Sequence, residues 1–184
     1  MKCTFVISAF NRPGHLRCLL ASLAIQTESD FNALIMDNSP DNCNEPVVNE
    51  TGDPRFLHVH SSGENCYASS NLGATLARGD YLCFPSDDNY YVPLFLSSML
   101  KQMTDLIYCN MIYDPRGARK EYRVIDVHPK IGKIDKGGFL IRRTKFLPFP
   151  WEQSLRLADG MMVEKLVENH LSHSKASGIL WVHN

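Results

Sequence analysis

The chain has 184 residues, of which 44% are hydrophobic and 21% charged, and its formal net charge is −1 at pH 7. This composition is that of an ordinary globular protein, and we expect a single domain over residues 1–184. The near-zero charge excludes a basic field that would collect nucleic acid or an anionic membrane surface. No apolar run reaches the ~18–20 residues that span a bilayer, and the start of the chain lacks the apolar centre of a signal peptide, so we expect a cytoplasmic protein.

Six cysteines are spread along the chain without a CxxC pair, and several lie inside apolar runs. This spacing favours buried free thiols in a reducing compartment over a disulfide framework or a zinc site. The cysteines are Cys3, Cys18, Cys43, Cys66, Cys83 and Cys109.

The predicted elements alternate between apolar strands and helices. TFVISAF at 4–10 is a continuous apolar run with β-branched residues, typical of a strand that is buried on both faces. After the NRPG break, leucines follow the helical period from His15. In chain order we then predict a strand at 31–37, a short helix within 43–50, a strand at 55–61, a helix at 66–77, a strand at 79–86, a helix at 92–103, and a strand at 105–114.

This alternation predicts an α/β fold, with a mostly parallel central sheet, helices on both faces and right-handed crossovers. The pattern loosens from about residue 114. We expect a solvated basic loop or hairpin at 115–123, which carries Arg116, Arg119, Lys120 and Arg123. A strand at 137–143, an amphipathic helix at 157–171 and a last strand at 178–184 follow. We expect His58 and His60 to be surface histidines.

Polar side chains gather where three predicted strands end. The first strand ends in Ser8, Ala9, Phe10 and Asn11, the second in Asp37, and the strand from Tyr81 in the acidic doublet Asp87 and Asp88. Ligands of open parallel sheets bind at this edge. Carboxylates that converge there without a lysine need a cation, and Mg²⁺ or Mn²⁺ with a phosphate-bearing ligand would supply it. Helix caps and turns are the simpler explanation for Asp37 alone.

Three motifs together resemble a known family. VISAFNRPGHLRCLLASLAIQT, FNALIMDNSPD and NLGATLARGDYLCFPSDDN are similar, in order and spacing, to the nucleotide-binding half of family 2 glycosyltransferases with the GT-A fold. The pattern most resembles the spore-coat polysaccharide nucleotide-sugar transferase type, in which TDDN-Y-P stands where this chain has SDDNYYVP. The resemblance covers about residues 3–100 and continues more faintly through IDKGGFLIRRTKF and RLADGMMVEKL. It implies a nucleotide-binding half up to about residue 100 and an acceptor half beyond.

The resemblance implies roles for most of these strand-end residues. Main-chain groups at the end of the first strand would hold the base and ribose of a nucleoside diphosphate, and Asp37 would accept from a uracil imide. Asp87 would contact the ribose or sugar. Asp88 would bind Mn²⁺ or Mg²⁺ at the diphosphate. The nucleotide-binding residues implied are Ser8, Ala9, Phe10, Asn11, Asp37, Asn71 and Asp87.

The resemblance also implies a catalytic base. An inverting transferase removes a proton from the acceptor hydroxyl, and in this family an acidic residue at the start of a helix does so. Asp159 stands at that place, although Ala158 replaces the Glu of many members. Asp135 and Glu164 are the fallback bases. His183 matches a histidine that binds the metal in some members.

The implied reaction is transfer of a sugar from a nucleoside diphosphate, with UDP expected, to a hydroxyl of a saccharide, a lipid-linked acceptor or a protein. A homodimer is compatible with this reaction. A nucleotidyltransferase is a second possibility, although SAFNRPGHLR does not resemble the Gly-rich, basic loop of such enzymes. A third is a degenerate member that binds nucleotide or a partner without catalysis.

Overall fold

A long mixed β-sheet runs through the computed structural model, which describes residues 1–61, 65–114, 122–152 and 157–183. Its strands in the described part of the chain are β1 Cys3–Ala9, β2 Phe31–Asp37, β3 Phe56–His60, β4 Tyr81–Cys83, β5 Tyr90–Tyr91, β6 Leu106–Tyr113, β7 Arg123–Ile125, β8 Phe139–Arg142 and β9 His173–His183. The helices are α1 Pro13–Ala24, α2 Glu45–Glu50, α3 Cys66–Leu76, α4 Phe95–Leu100, α5 Arg143–Phe146 and α6 Ala158–Glu168.

The sheet has the order β3-β2-β1-β4-β8-β6-β9-β5, and β7 pairs with β6. The first four strands of this order are parallel. β8 is antiparallel to both β4 and β6, whereas β9 is parallel to β6. The predicted α/β fold with parallel strands is therefore confirmed in the first half of the chain, and the second half extends the sheet in mixed directions.

Helices cover both faces of the sheet, as predicted. Neighbouring residues of a strand point to opposite faces. On β1, Phe5 packs with its ring centroid 6.4 Å from that of Phe95 in α4. The next residue, Val6, lies so close to Gly73 of α3 that an added Cβ would come within 2.3 Å of its side chain. The small residues of α3 thus let this helix lie directly on the sheet.

Several predicted boundaries were wrong, and the helix predicted at 92–103 spans only Phe95–Leu100. β9 begins at His173 rather than at residue 178, because a bulge at Gly178, with φ 96°, lets a polar stretch continue the pairing with β6. β4 ends at Cys83, so the acidic doublet lies in a loop beyond the strand. A single bridge between Ser8 and Ser86 carries the β1–β4 pairing towards this loop.

All six cysteines are free. Cys3, Cys83 and Cys109 are buried as expected, whereas Cys18 and Cys66 are exposed. No helix in the described ranges is both long and apolar enough to cross a bilayer. Most of the predicted basic loop, including Arg116, Arg119 and Lys120, lies outside the described residues.

Candidate active site

A cleft of about 410 Å³ opens where β1 ends. We name it the Ser8 cleft; its walls include Ser8, Ala9 and Phe10, together with Arg12 and with Cys66 at the start of α3. The main chain here is hydrogen-bonded within the protein: Ser8 N donates to Pro85 O at 3.1 Å, and Ala9 O accepts from Asn38 N at 3.0 Å. The structure thus brings the first three predicted nucleotide-binding residues to one cleft.

The acidic doublet lies next to this cleft, since Asp87 contacts Phe10 and Arg12, which line it. Asp87 is fully buried, and its Oδ2 accepts from the main-chain N–H of Phe10 at 3.0 Å. Burial raises the pKa of the Asp87 carboxyl to about 6, against the opposing effects of this hydrogen bond and of the Arg12 charge. Asp88 is half-buried, and its Oδ1 is shielded from solvent without a hydrogen-bond partner among the described residues.

Arg12 bridges the doublet. Its Nη2 lies 2.5 Å from Asp87 Oδ1, and its Nη1 donates to Asp88 Oδ2 at 2.6 Å. The expectation that these carboxylates lie at an edge without a lysine was wrong, because Lys136 of the second half of the chain reaches Ser8 at this edge. The cation that contacts the doublet itself is Arg12. An internal cation therefore neutralises part of the doublet's charge.

Asp37 is fully buried at the end of β2. Its Oδ1 accepts from Ser39 N and from Asn44 Nδ2, both at 2.9 Å. Its Oδ2 lies 3.0 Å from His58 Nε2, so the expectation that His58 is a surface histidine was wrong. Burial alone would raise the pKa of Asp37, but these hydrogen bonds outweigh burial and hold the pKa below its usual value. The carboxyl is thus a rigid anion beside the cleft.

Two other predicted nucleotide-binding residues have contacts within the protein. Asn11 takes a left-handed backbone with φ 50°, and its N–H donates to Ser39 Oγ at 2.9 Å. The carboxamide of Asn71 pairs with both backbone groups of Trp151, at 3.0 Å and 2.9 Å. This pair ties α3 to the segment after α5, and the structure places Asn71 among the residues that hold the fold at this point.

A second cleft, of about 460 Å³, lies at the start of α6. We name it the Asp159 cleft; its walls include Asp159, Asp135, Tyr67, Tyr113 and His183. Asp159 Oδ2 accepts from the main-chain N–H of Lys136 at 3.1 Å, whereas its Oδ1 is buried and accepts no hydrogen bond within 3.5 Å in the described part of the chain. Burial, and next the negative charge of Asp135, raise the pKa of Asp159 to about 6. The Tyr67 hydroxyl lies near enough to this carboxyl to favour its charged form and so to lower its pKa. A raised pKa and an unpartnered oxygen suit a proton acceptor.

The fallback bases lie on different sides of α6. Asp135 shares the Asp159 cleft, but its Oδ1 caps the turn at Lys136–Gly138 by accepting from Gly137 N at 2.8 Å. Glu164 lines a separate groove of about 480 Å³, which includes Met161. The geometry therefore separates Glu164 from Asp159.

His183 stands at the end of β9, where its ring stacks on Tyr113 with centroids 5.4 Å apart. Its Nδ1 lies 3.3 Å from Asn89 Nδ2 and 3.9 Å from Asp135 Oδ2. Asn89 directly follows the doublet, so the structure brings His183 to the loop that carries Asp88. Within the described ranges, no three acidic, histidine or cysteine side chains group closely enough to form a metal site by themselves.

Lys136 is, like Arg12 and His58, a residue near the site that the sequence did not indicate. It is only 6% exposed, and its Nζ lies 3.4 Å from Ser8 Oγ and 5.3 Å from the centroid of the Tyr67 ring. The only feature of the sequence that marks this position as structurally special is the glycine pair that follows Lys136. A Cβ at Gly138 would lie 2.5 Å from the indole of Trp181, so only glycine lets this turn pass beneath the ring.

Comparisons with known proteins agree with this architecture. Residues 4–156 match the model of Glycosyl transferase family 2. A Haemophilus influenzae protein described as an uncharacterized glycosyltransferase is 30% identical over 114 residues, which are 61% of this chain and 38% of that protein. The Bacillus subtilis protein EpsH is 26% identical over 112 residues, which are 58% of this chain and 33% of EpsH. The chain thus spans about a third of these relatives.

Solved structures share the fold. S. aureus TarS 1-349 superposes with a TM-score of 0.78 at 15% identity, covering 100% of this chain and 60% of that one. The mannosyltransferase PcManGT from Pyrobaculum calidifontis, solved in complex with GDP-Man and Mn²⁺, superposes with a TM-score of 0.80 at 12% identity, covering 99% of this chain and 56% of that one. The predicted GT-A fold is confirmed by these neighbours. With more than half of its length matched by the family model, the chain belongs to glycosyltransferase family 2.

Proposed function

We propose that the protein transfers a sugar from a nucleoside diphosphate to a hydroxyl acceptor, with inversion at the anomeric carbon. The observation that carries the proposal is the position of Asp159. It is a buried carboxyl with a pKa raised to about 6 and with one oxygen that accepts no hydrogen bond from the described residues, and it lies on the wall of a cleft next to the Ser8 cleft, beside which the acidic doublet lies. Glycosyl transfer requires a base close to the diphosphate, and two adjoining clefts suit that arrangement.

In this proposal the Ser8 cleft holds the nucleotide. Asp37 lies behind the cleft as a fixed anion, which suits an N–H of a base, and UDP is the donor nucleotide that we expect. Two likenesses support a nucleoside diphosphate of some kind: TarS has been solved in complex with UDP and with UDP-GlcNAc, and PcManGT with GDP-Man. The specific contacts of Ser8, Ala9, Phe10, Asn11, Asn71 and Asp87 with a nucleotide stay predictions.

The doublet fits a hard divalent cation. Asp88 Oδ1 is a shielded acceptor to which no described residue donates, and one or two carboxylates plus phosphate oxygens are a usual ligand set for Mg²⁺ or Mn²⁺. Asp88 would hold the ion, with His183 as the second predicted ligand. When bound, the ion would neutralise charge on the diphosphate. Before the ion can bind, the Arg12 guanidinium has to release at least one carboxylate oxygen of the doublet, since it now contacts both carboxylates.

The reaction then follows from the chain's own groups. Asp159 accepts the proton of the acceptor hydroxyl while that oxygen forms a bond to the anomeric carbon. The bond from this carbon to the phosphate oxygen breaks, and its electron pair stays on the departing nucleoside diphosphate. Tyr113 and His183 present a stacked aromatic surface on the wall of the Asp159 cleft, which suits an acceptor with apolar ring faces, such as a saccharide. A lipid-linked or protein acceptor, a homodimer, one domain and a cytoplasmic location stay predictions.

A non-catalytic member is the second candidate, and the Arg12 bridge favours it. A guanidinium that already satisfies the doublet removes part of the need for a metal ion. In that case the chain would bind a nucleotide or a protein partner without transfer.

Donor turnover separates the two candidates. Release of nucleoside diphosphate from UDP-glucose, UDP-GlcNAc and GDP-mannose is measured with Mn²⁺. We expect Asp159→Asn to bind the accepted donor as tightly as the wild type and to release product at least about 100-fold more slowly. Glu164→Gln, in the Met161 groove, is the control and should keep the wild-type rate. Full release by Asp159→Asn would show that another group is the base.

A further inference from the structure

Lys136 lies between the two clefts of the site. Its ammonium contacts Ser8, which lines the Ser8 cleft, and lies over the ring of Tyr67, which lines the Asp159 cleft. Its main-chain N–H holds the carboxyl of Asp159. A ligand that extends from the nucleotide position towards the base would pass Ser8 and Tyr67, the two wall residues that the Lys136 ammonium contacts.

In the part of the chain that the structure describes, the Lys136 ammonium has no ion-pair partner. Among the described residues, no carboxylate lies within the 4.0 Å of an ion pair with Lys136, and its one hydrogen bond is the long 3.4 Å contact to a neutral hydroxyl. A lysine that is 94% buried has given up most of its hydration, and such a charge is costly unless it is paired. Ser8 Oγ is also within reach of Cys66 O and Ser70 Oγ, at 3.3 Å and 3.1 Å, so it is a shared partner.

The charge of Lys136 acts on Asp159 from beyond contact distance, since it opposes the rise in the pKa of that carboxyl. During transfer the carboxyl takes up a proton and becomes neutral. At the same moment the departing diphosphate gains negative charge. The ammonium then faces the new anion alone, so its attraction to the leaving group is larger in the transition state than in the ground state.

We propose that Lys136 is a diphosphate-binding residue, a cation supplied by the chain that holds the leaving phosphate of the donor on the side away from the acidic doublet. The proposal rests on the proposed transferase function. It assigns to the acceptor half of the chain a contact with the donor, whereas the nucleotide itself is held by the first half. An arginine at this place would keep the charge, and an apolar side chain of similar length would remove it.

The test compares nucleoside diphosphate with monophosphate. Calorimetric titrations first identify which of UDP, GDP, CDP and dTDP the wild type binds, and then measure that diphosphate and its monophosphate on Lys136→Met, Lys136→Arg and the control Lys101→Met. Lys101 is an exposed lysine at the end of α4. We expect Lys136→Met to lose about tenfold or more in affinity for the diphosphate and less than about twofold for the monophosphate. Lys136→Arg should retain most of the preference, and Lys101→Met all of it.

Each outcome decides between the claims. If the wild type prefers the diphosphate and Lys136→Met keeps that preference, the lysine proposal is refuted and the transferase proposal is not. If the wild type binds none of the four diphosphates, the transferase proposal is refuted, and so is the lysine proposal, which rests on it. Thermal unfolding followed by circular dichroism shows whether Lys136→Met folds. Should it not fold, Lys136→Gln, which keeps a donor for Ser8 without the charge, carries the same comparison.

Discussion

Asp159→Asn should stabilise the protein above pH 7 while it removes the proposed base. Burial and the charge of Asp135 raise the pKa of this carboxyl from 3.8 to about 6. A carboxyl whose folded pKa lies above its unfolded value lowers stability as pH rises from about 4 through 6, because the folded state holds the proton more tightly. About 2 pKa units at 1.36 kcal/mol each correspond to roughly 3 kcal/mol at pH 8. Asn removes this cost, and its amide oxygen can still accept from Lys136 N.

Urea and thermal unfolding of both proteins at pH 4 and pH 8 measure the effect. For a chain of this size, a gain of about 3 kcal/mol corresponds to a rise in Tm of roughly 6–12 °C at pH 8, and most of the gain should disappear at pH 4. Asp126→Asn is the control of opposite sign: hydrogen bonds from Lys175 and His128 lower the pKa of that exposed carboxyl, so its loss should not stabilise the protein. A gain of equal size at both pH values, or a loss at pH 8, would refute the reasoning.

Three further variants test separate parts of the account. Asp88→Asn should abolish Mn²⁺-dependent binding of nucleoside diphosphate in calorimetry without unfolding the protein, whereas unchanged binding would exclude Asp88 as the metal ligand. Asn71→Ala leaves both backbone groups of Trp151 unpaired, and we expect it to cost about 1–3 kcal/mol in urea unfolding; an unchanged nucleotide affinity would remove Asn71 from the binding residues. Gly138→Ala puts a methyl group 2.5 Å from the Trp181 indole and should cost about 1–3 kcal/mol, whereas Gly14→Ala, with nothing within 4 Å of the new methyl, should not.

The parts of the fold that the sequence predicted are those with a strong local signal. β1 and β2 are continuous apolar runs because both lie inside a parallel sheet, and such runs are readable without any long-range contact. The doublet was recognised as unusual because two aspartates follow directly after an apolar strand. Asp159 was assigned through the family resemblance, which implies a base at the start of a helix, and the structure puts this residue at the second position of α6.

The missed features depend on contacts between distant residues. Nothing local in IDKGG indicates that Lys136 is buried, because its burial results from Ser8 and Tyr67, which lie 128 and 69 positions away in the sequence. His58 lies in a stretch in which polar and apolar residues alternate, and that pattern predicts an exposed side chain. Only the pairing of β3 with β2 brings it to Asp37. Arg12 stands in a turn after β1, and its bridge to the doublet requires the β1–β4 pairing.

Calorimetric titration of the wild-type protein with UDP, GDP, CDP and dTDP, each with and without Mn²⁺, tests the central claim most directly. The account predicts that one of the four, with UDP expected, binds in a manner that depends on Mn²⁺. That result would name the base of the donor and would place a metal ion with the doublet that Arg12 now bridges. If none of the four binds with or without Mn²⁺, the account is contradicted, and the chain shares the fold of its family without the donor chemistry.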